Sequence, residues 1–230
     1  MSESRAVYIM GAGRMGSILA RAMSQGNRVT IYQRDEATGR QVAAEIGCAY
    51  DQPANALPTA DVVILALPTE ATAPALASIR GLLKPDAVVI NIATKVLKDS
   101  LRPLLNGACH LVGAKIVGQF RGMEERPVIV IDADTGTGQQ AASALFACLG
   151  TVQPGDERTV QFINTLTARE SFRAAIHIQD ALQEAGVSAE LINSALRVVA
   201  VGSLKAYAAQ DMGPFGRDIL RELRSAEGAK

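Results

Sequence analysis

Apolar and polar positions follow two different rhythms along this chain. Over the first two-thirds, short runs of β-branched residues alternate with alanine-rich stretches of helical spacing, the pattern of a doubly wound α/β sheet. Residues 6–10 and 28–32 read as strands, 36–46 as a helix and 48–50 as a short strand. The run Asp61-Val62-Val63-Ile64-Leu65-Ala66 is almost continuously apolar, as a strand covered on both faces should be, and Leu67-Pro68-Thr69 ends it. Further strands are expected at 87–91, 110–117 and 127–132, then a helix at 138–149 and a short strand at 151–153. The rhythm changes at Pro154-Gly155-Asp156. Beyond it Phe162, Ile163, Leu166, Phe172, Ile176 and Leu182 recur at roughly helical spacing, and no run reads as a strand. Gly186-Val187-Ser188 breaks this helix, and Ser188 caps a second one that runs to about residue 210. Gly213-Pro214-Phe215-Gly216 reads as a turn before a last helix at 217–224. The expected division is therefore an α/β domain over 1–155 and a helical domain over 156–230. So few helices hold too little core to stand alone. They are expected to pack on the sheet domain, on a second copy of themselves, or on both, which predicts a homodimer.

The junction between the first strand and its helix carries the clearest chemistry. Gly11-Ala12-Gly13-Arg14-Met15-Gly16 follows the apolar run 6–10 and opens an amphipathic stretch. Strand, glycine-rich turn and helix in that order suit a dinucleotide pyrophosphate. Gly11 permits the tight turn, Gly13 lets the backbone approach the phosphates, and Gly16 lets the helix pack on the strand, while the helix N-terminus faces the anion. This is the Rossmann arrangement of a mostly parallel sheet. Its second strand ends in Gln33-Arg34-Asp35. An NAD site places an acid there to accept from the ribose 2′-hydroxyl, whereas a guanidinium pairs with a 2′-phosphate that a carboxylate repels. Gln33 and Arg34 therefore predict NADP(H). Asp35 would take the reading position if the strand ended one residue later, and Arg34 would then be a solvated cation at a helix start.

Ligands of open parallel sheets sit beyond the carboxyl ends of the strands. That places Leu67 and Pro68 beside the nicotinamide ribose, and Asn91 and the pair Thr94 and Lys95 near the nicotinamide. Lys95 leads the catalytic candidates, because an ammonium there can donate to a carbonyl, bind a carboxylate or supply a proton; its bland alternative is a surface cation. Lys115 is unusual within an apolar strand and otherwise snorkels from the sheet rim. Asn164 and Thr165, near the start of the first C-terminal helix, either face the nicotinamide or cap that helix. His177, among Ala174, Ala175, Ile176 and Ile178, reads as a core histidine before it reads as a base.

Charge balance narrows the partners. Lys and Arg number 23, as do Asp and Glu, so no net field favours nucleic acid or an anionic membrane, and the expected partner is a small-molecule substrate. No apolar run is long enough to span a membrane. Met1-Ser2-Glu3-Ser4-Arg5 leads straight into the first strand, which predicts no signal peptide and a cytoplasmic location. Three well-separated cysteines, Cys48, Cys109 and Cys148, read as reduced core thiols, and two distant histidines make a metal site unexpected.

On these residues the chain resembles the small NADP-dependent reductases of the group containing pyrroline-5-carboxylate reductase, prephenate dehydrogenase and the deazaflavin-dependent NADP reductase. The resemblance covers most of residues 5–155 and rests on Gly-Ala-Gly-Arg-Met-Gly, on Arg34, on the stretch from Asp61 to Pro68, and on the stretch from Asn91 to Lys95. It implies that these stretches carry the glycine loop, the 2′-phosphate contact and the nicotinamide wall. The chain lacks the His-Pro pair that prephenate dehydrogenases carry near Ala114-Lys115-Ile116. It also places Gln161 where 3-hydroxyacid dehydrogenases carry a catalytic lysine. What the resemblance leaves is reduction of an imine or ketone, C=N or C=O, on a small carboxylate-bearing metabolite. The alternatives are hydride exchange between NADP and a deazaflavin carrier, or a non-enzymatic module that senses NADP(H).

Overall fold

The computed structural model describes residues 4–105 and 107–227; the start Met1-Ser2-Glu3, on which the expected absence of a signal peptide rests, lies outside the described residues. Eight strands form one sheet in the order β3-β2-β1-β4-β5-β6-β7-β8. They are β1 Ala6–Met10, β2 Arg28–Tyr32, β3 Ala49–Tyr50, β4 Val62–Leu65, β5 Val88–Asn91, β6 His110–Ile116, β7 Val128–Ala133 and β8 Thr151–Pro154. Every pairing is parallel except β6 with β7. The physical reason lies in the connection: between β6 and β7 there is a short 3-10 stretch, Phe120–Glu125, and no crossover helix that could return the chain to the other end of the sheet.

Helices cover both faces. On one side α1 Arg14–Met23, α2 Glu36–Ile46 and, later in the chain, α6 Gly136–Phe146 bury Leu19, Ala43 and Phe146 against Ile9, Ile64 and Ile90. On the other, α3 Pro53–Ala56, α4 Thr69–Ile79 and α5 Lys98–Leu101 bury Leu76 and Leu101 with Tyr8, Leu65 and Val89. Strands covered on both faces explain the continuous apolar runs read from the sequence. Asp35 caps α2, accepting from the Thr38 amide at 2.8 Å, and Gly47 ends it at φ +80°. Thr135 caps α6 through the Gly138 amide, so that helix begins two residues before the expected one.

The C-terminal third is helical throughout: α7 Glu157–Glu184, α8 Ala189–Ser194, a π-helical stretch Ala195–Ala200, α9 Val201–Ala208 and α10 Pro214–Glu227. The last helix begins inside the expected turn because Pro214 is pre-organised for a first helical position. The chain divides into two compact units between Thr165 and Leu166. The first turns of α7 go with the sheet, where Glu157 and Val160 are buried. Among the described residues, only Ile192 is a buried hydrophobic from Leu166 onward, while twelve of the fourteen large exposed hydrophobics lie there. Among the described residues no helix is long and apolar enough to cross a membrane.

Two local expectations need correcting. The cysteines are not core residues, since Cys48 and Cys109 are half-buried and Cys148 is exposed. His177 is also exposed, because the face of α7 that carries it is not covered.

Candidate functional site

The strand order reverses at β1, which pairs with β2 on one side and β4 on the other. The carboxyl ends of β1 and β4 therefore splay their loops apart, which is where open α/β sheets bind ligands. The loop after β1 is built by close approach. Gly11 has φ +104° and donates its amide to the Tyr32 carbonyl at 2.8 Å, and a Cβ on it would overlap the Ala66 carbonyl oxygen. A Cβ on Gly16 would overlap the Gly11 carbonyl oxygen, so helix and turn touch through backbone alone. Gly13 differs: nothing lies within 4 Å of where its Cβ would be. It is the extended N-cap of α1, with no side chain accepting from the first helical amides. Those amides and the space above them are free to receive an anion. Arg14 and Met15 form the first turn, with the Arg14 guanidinium 4.3 Å over the Phe120 ring.

Register fixes where the second strand ends. β2 ends at Tyr32, opposite Met10, so Gln33 is the first residue past the tip. Its Oε1 accepts from the Ala12 amide at 3.3 Å, which ties it to the glycine loop. Asp35, the acid that a one-residue shift would have brought to the ribose, is committed to the α2 cap. Hydrogen bonds from Thr38 hold its carboxyl below the usual range. Arg34 is exposed and makes no hydrogen bond or ion pair with any described residue. A cleft of about 530 Å³ joins Gly11, Gln33, Arg34, Leu67, Pro68 and Glu70. Arg34 lines this cleft with a guanidinium that no described residue neutralises, so it could receive an anionic group.

Beyond β5 the chain makes a tight turn, with the Val96 amide donating to the Ala93 carbonyl at 3.2 Å. Thr94 and Lys95 are the two central residues of that turn. Lys95 is exposed, and no described residue pairs with it. The turn stands on Asn91, fully buried at the end of β5, whose Nδ2 donates to the Val96 carbonyl at 2.6 Å and whose Oδ1 accepts from the Ala93 amide at 3.0 Å. Asn164 is half-buried and donates its Nδ2 to the Ile116 carbonyl at 2.8 Å, which fastens α7 to the end of β6. Thr165 is exposed on the same helix.

Two buried ions lie beneath the turn. Lys115 is 1% exposed and Glu157 is 2% exposed, with Nζ and Oε2 3.3 Å apart. Lys115 does not snorkel: it donates to the carbonyls of Asn91, Ala93 and Val96 at 3.3, 2.7 and 2.9 Å. Its oddity is visible in the sequence, whereas sequence reasoning misses Glu157. The available signal was Gly113, a glycine inside a strand, which marks close approach. A Cβ there would overlap the Glu157 carboxylate.

Residues 6–95 match the family described as NADP oxidoreductase, coenzyme F420-dependent. They form an NADP oxidoreductase domain. NADP(H) is thus the cofactor, as Arg34 predicts, and the resemblance read from the glycine loop and the stretch from Asp61 to Lys95 falls within the matched residues. No curated protein matches the chain. Solved structures resemble it over nearly its whole length. A pyrroline-5-carboxylate reductase from Coxiella burnetii has a TM-score of 0.71 at 17% identity, covering 98% of this chain and 92% of its own. The Plasmodium falciparum pyrroline carboxylate reductase with NADP bound has a TM-score of 0.68 at 15% identity, covering 100% and 93%. The Aspergillus terreus reductive aminase in complex with NADPH and ethyl levulinate has a TM-score of 0.67 at 17% identity, covering 90% and 76%. At these identities the likeness shows that the NADP oxidoreductase domain and the helices after it share a fold with these proteins.

Proposed function

We propose that this NADP-dependent oxidoreductase delivers hydride from NADPH to the C=N or C=O carbon of a small, carboxylate-bearing metabolite. The observation that carries the reading is the cleft that joins the glycine loop, Arg34 and the Leu67–Pro68 wall in an NADP oxidoreductase domain. NADPH, when bound, supplies the hydride. The protein's share is binding and orientation. The backbone of Gly11, Gly13, Arg14, Met15 and Gly16 receives the pyrophosphate, Gln33 braces that loop, and Arg34 pairs with the 2′-phosphate. Leu67, Pro68 and Thr94 border the nicotinamide half. Lys95 anchors the substrate carboxylate or polarises the reducible bond. Thr165 lies on the substrate side, and Asn164 acts by holding α7 to β6. A second copy of the chain covers the apolar helices beyond Leu166, giving a homodimer; the scarcity of buried hydrophobics there supports this part of the reading.

The description of the matched family favours one competing reaction, hydride exchange between NADP and coenzyme F420. One set of measurements tests both. Calorimetric titration is expected to show NADPH binding more tightly than NADH. Arg34→Ala should then lose about 10–100-fold in NADPH affinity, the worth of a charge-assisted phosphate contact, with NADH within twofold. Equal losses would remove Arg34 from its role, and absence of binding to either nucleotide would sink the whole reading. NADPH consumption with pyrroline-5-carboxylate and with 2-oxo acids plus ammonia, set against NADP reduction by reduced coenzyme F420, decides between the two reactions.

A further inference from the structure

A lysine and a glutamate buried side by side in a sheet domain need a reason, because the pair costs desolvation that apolar residues of the same volume would not. Here the lysine does more than neutralise the glutamate. An ammonium has three protons, and Lys115 directs them at three carbonyls, those of Asn91, Ala93 and Val96. The Glu157 Oε2 lies 3.3 Å from the same Nζ and forms an ion pair with it. The other oxygen, Oε1, accepts the Lys98 amide at 2.5 Å. Both ions therefore grip the chain between β5 and α5, Lys115 by its carbonyls and Glu157 by the amide that ends it. The arrangement is built in: Gly113 vacates the space that the carboxylate fills, and Asp132, paired with Gly113 across β6 and β7, accepts the Glu157 amide at 3.1 Å. Besides Glu157, the acidic group facing Lys115 is Asp132, which also lies 3.3 Å from Lys98 Nζ. Burial nonetheless dominates, pulling the Lys115 ammonium down to about 8.

We propose that Lys115 and Glu157 are positioning residues: together they form an internal strut that sets the turn Ala93–Val96 and so places Thr94 and Lys95 at the carboxyl end of the sheet. The inference rests on the oxidoreductase reading for its purpose, and on hydrogen bonds alone for its mechanics. A residue that served stability alone could be replaced, with its partner, by neutral groups without consequence for the turn. A strut could not.

The test compares wild type, Lys115→Met/Glu157→Gln and Lys84→Met in the full chain. The double variant removes both charges, while the introduced glutamine side chain still offers an oxygen to the Lys98 amide. Lys84→Met removes an exposed ion pair with Asp61 and serves as the control. Amide hydrogen exchange is read over residues 92–98. At least tenfold faster exchange at Ala93 and Val96 is expected in the double variant, with the amides of β1 unchanged and the control at wild-type rates. NADPH affinity should stay within threefold. In whichever of the hydride-transfer assays above the wild type turns over, kcat should fall at least tenfold with the KM for NADPH within twofold. Glu157→Gln alone, the milder change, should shift exchange in the same direction and covers the case in which the double variant does not fold. Unchanged exchange at Ala93 and Val96 in a folded variant overturns the strut, and unchanged kcat overturns its positioning role. If the wild type binds no NADPH, the oxidoreductase reading fails by itself, while the exchange rates still decide whether the strut holds the turn.

Discussion

Two glycines three residues apart should fail in opposite ways when each is changed to alanine. At Gly16 the new Cβ would overlap the Gly11 carbonyl oxygen and lie 2.9 Å from its carbon, with the Ala66 Cβ at 3.4 Å. Carbon atoms in contact prefer about 3.5–4.0 Å, so helix and turn must part by on the order of 1 Å. Neither side yields readily, since Gly11 is held by its bond to the Tyr32 carbonyl and by its own approach to Ala66. Overpacking of this kind costs about 1–3 kcal/mol, and backbone against backbone belongs at the upper end. For a protein of this size that is a fall in Tm of about 6–12 °C. At Gly13 the new Cβ meets nothing within 4 Å, so only the N-cap preference for glycine over alanine is lost, about 1 kcal/mol or a fall in Tm of about 2–4 °C. Yet that open space is the one assigned to the phosphates. NADPH affinity should therefore fall at least tenfold in Gly13→Ala although the protein remains intact. Thermal unfolding and calorimetric titration on both variants give the answer. A Gly13→Ala protein that binds NADPH like wild type would refute the placement of the pyrophosphate, and a Gly16→Ala protein of wild-type Tm would refute the packing argument.

Other consequences follow from single features. Lys95→Met should lower kcat at least tenfold while NADPH affinity stays within twofold, because Lys95 is placed for substrate and not for cofactor; unchanged turnover removes it from the site. Burial pulls the folded Lys115 ammonium down from the ordinary 10.5 to about 8. Between those values the unfolded chain holds a proton that the native one has released, so stability rises with pH. At about 1.4 kcal/mol per unit, the gain of wild type over Lys115→Met/Glu157→Gln should approach about 3 kcal/mol between about pH 7.5 and 10.5 in urea unfolding. A flat difference would show that Lys115 is not held at a lowered pKa. Phe172 and Ile176 stand one turn apart on α7, 69% and 61% exposed. Covering each against a second copy is worth about 1.5–3 kcal/mol, so Phe172→Asp/Ile176→Asp should weaken the dimer at least 100-fold in sedimentation. A wild-type monomer at micromolar concentration would end the dimer proposal.

Much of the first domain was legible from one dimension. The strands at 6–10, 28–32 and 61–66, the glycine loop and Arg34 all depend on local periodicity and on residues near one another in sequence. The exchange of an acid for Gln33 and Arg34 is likewise a local statement, and the matched family agrees with its reading as NADP. Register was not legible. Whether β2 ends before Gln33 or one residue later is not written locally; the pairing of Met10 with Tyr32 fixes its end, and Asp35 is taken up in capping α2.

The sequence by itself determined that this is a doubly wound α/β protein with a dinucleotide loop and a helical C-terminal region, because hydrophobic period, turn residues and cap residues act within a few positions. The tertiary structure alone decided that β7 turns antiparallel, that the first turns of α7 belong with the sheet, that the cysteines and His177 are not core, and that Lys115 meets Glu157. The members of that last pair lie far apart in sequence, and nothing in either neighbourhood announces the other. Their meeting depends on Gly113 leaving room and on Asp132 holding the helix start. Packing brings such groups together, and desolvation, which no linear pattern records, gives their contact its consequence.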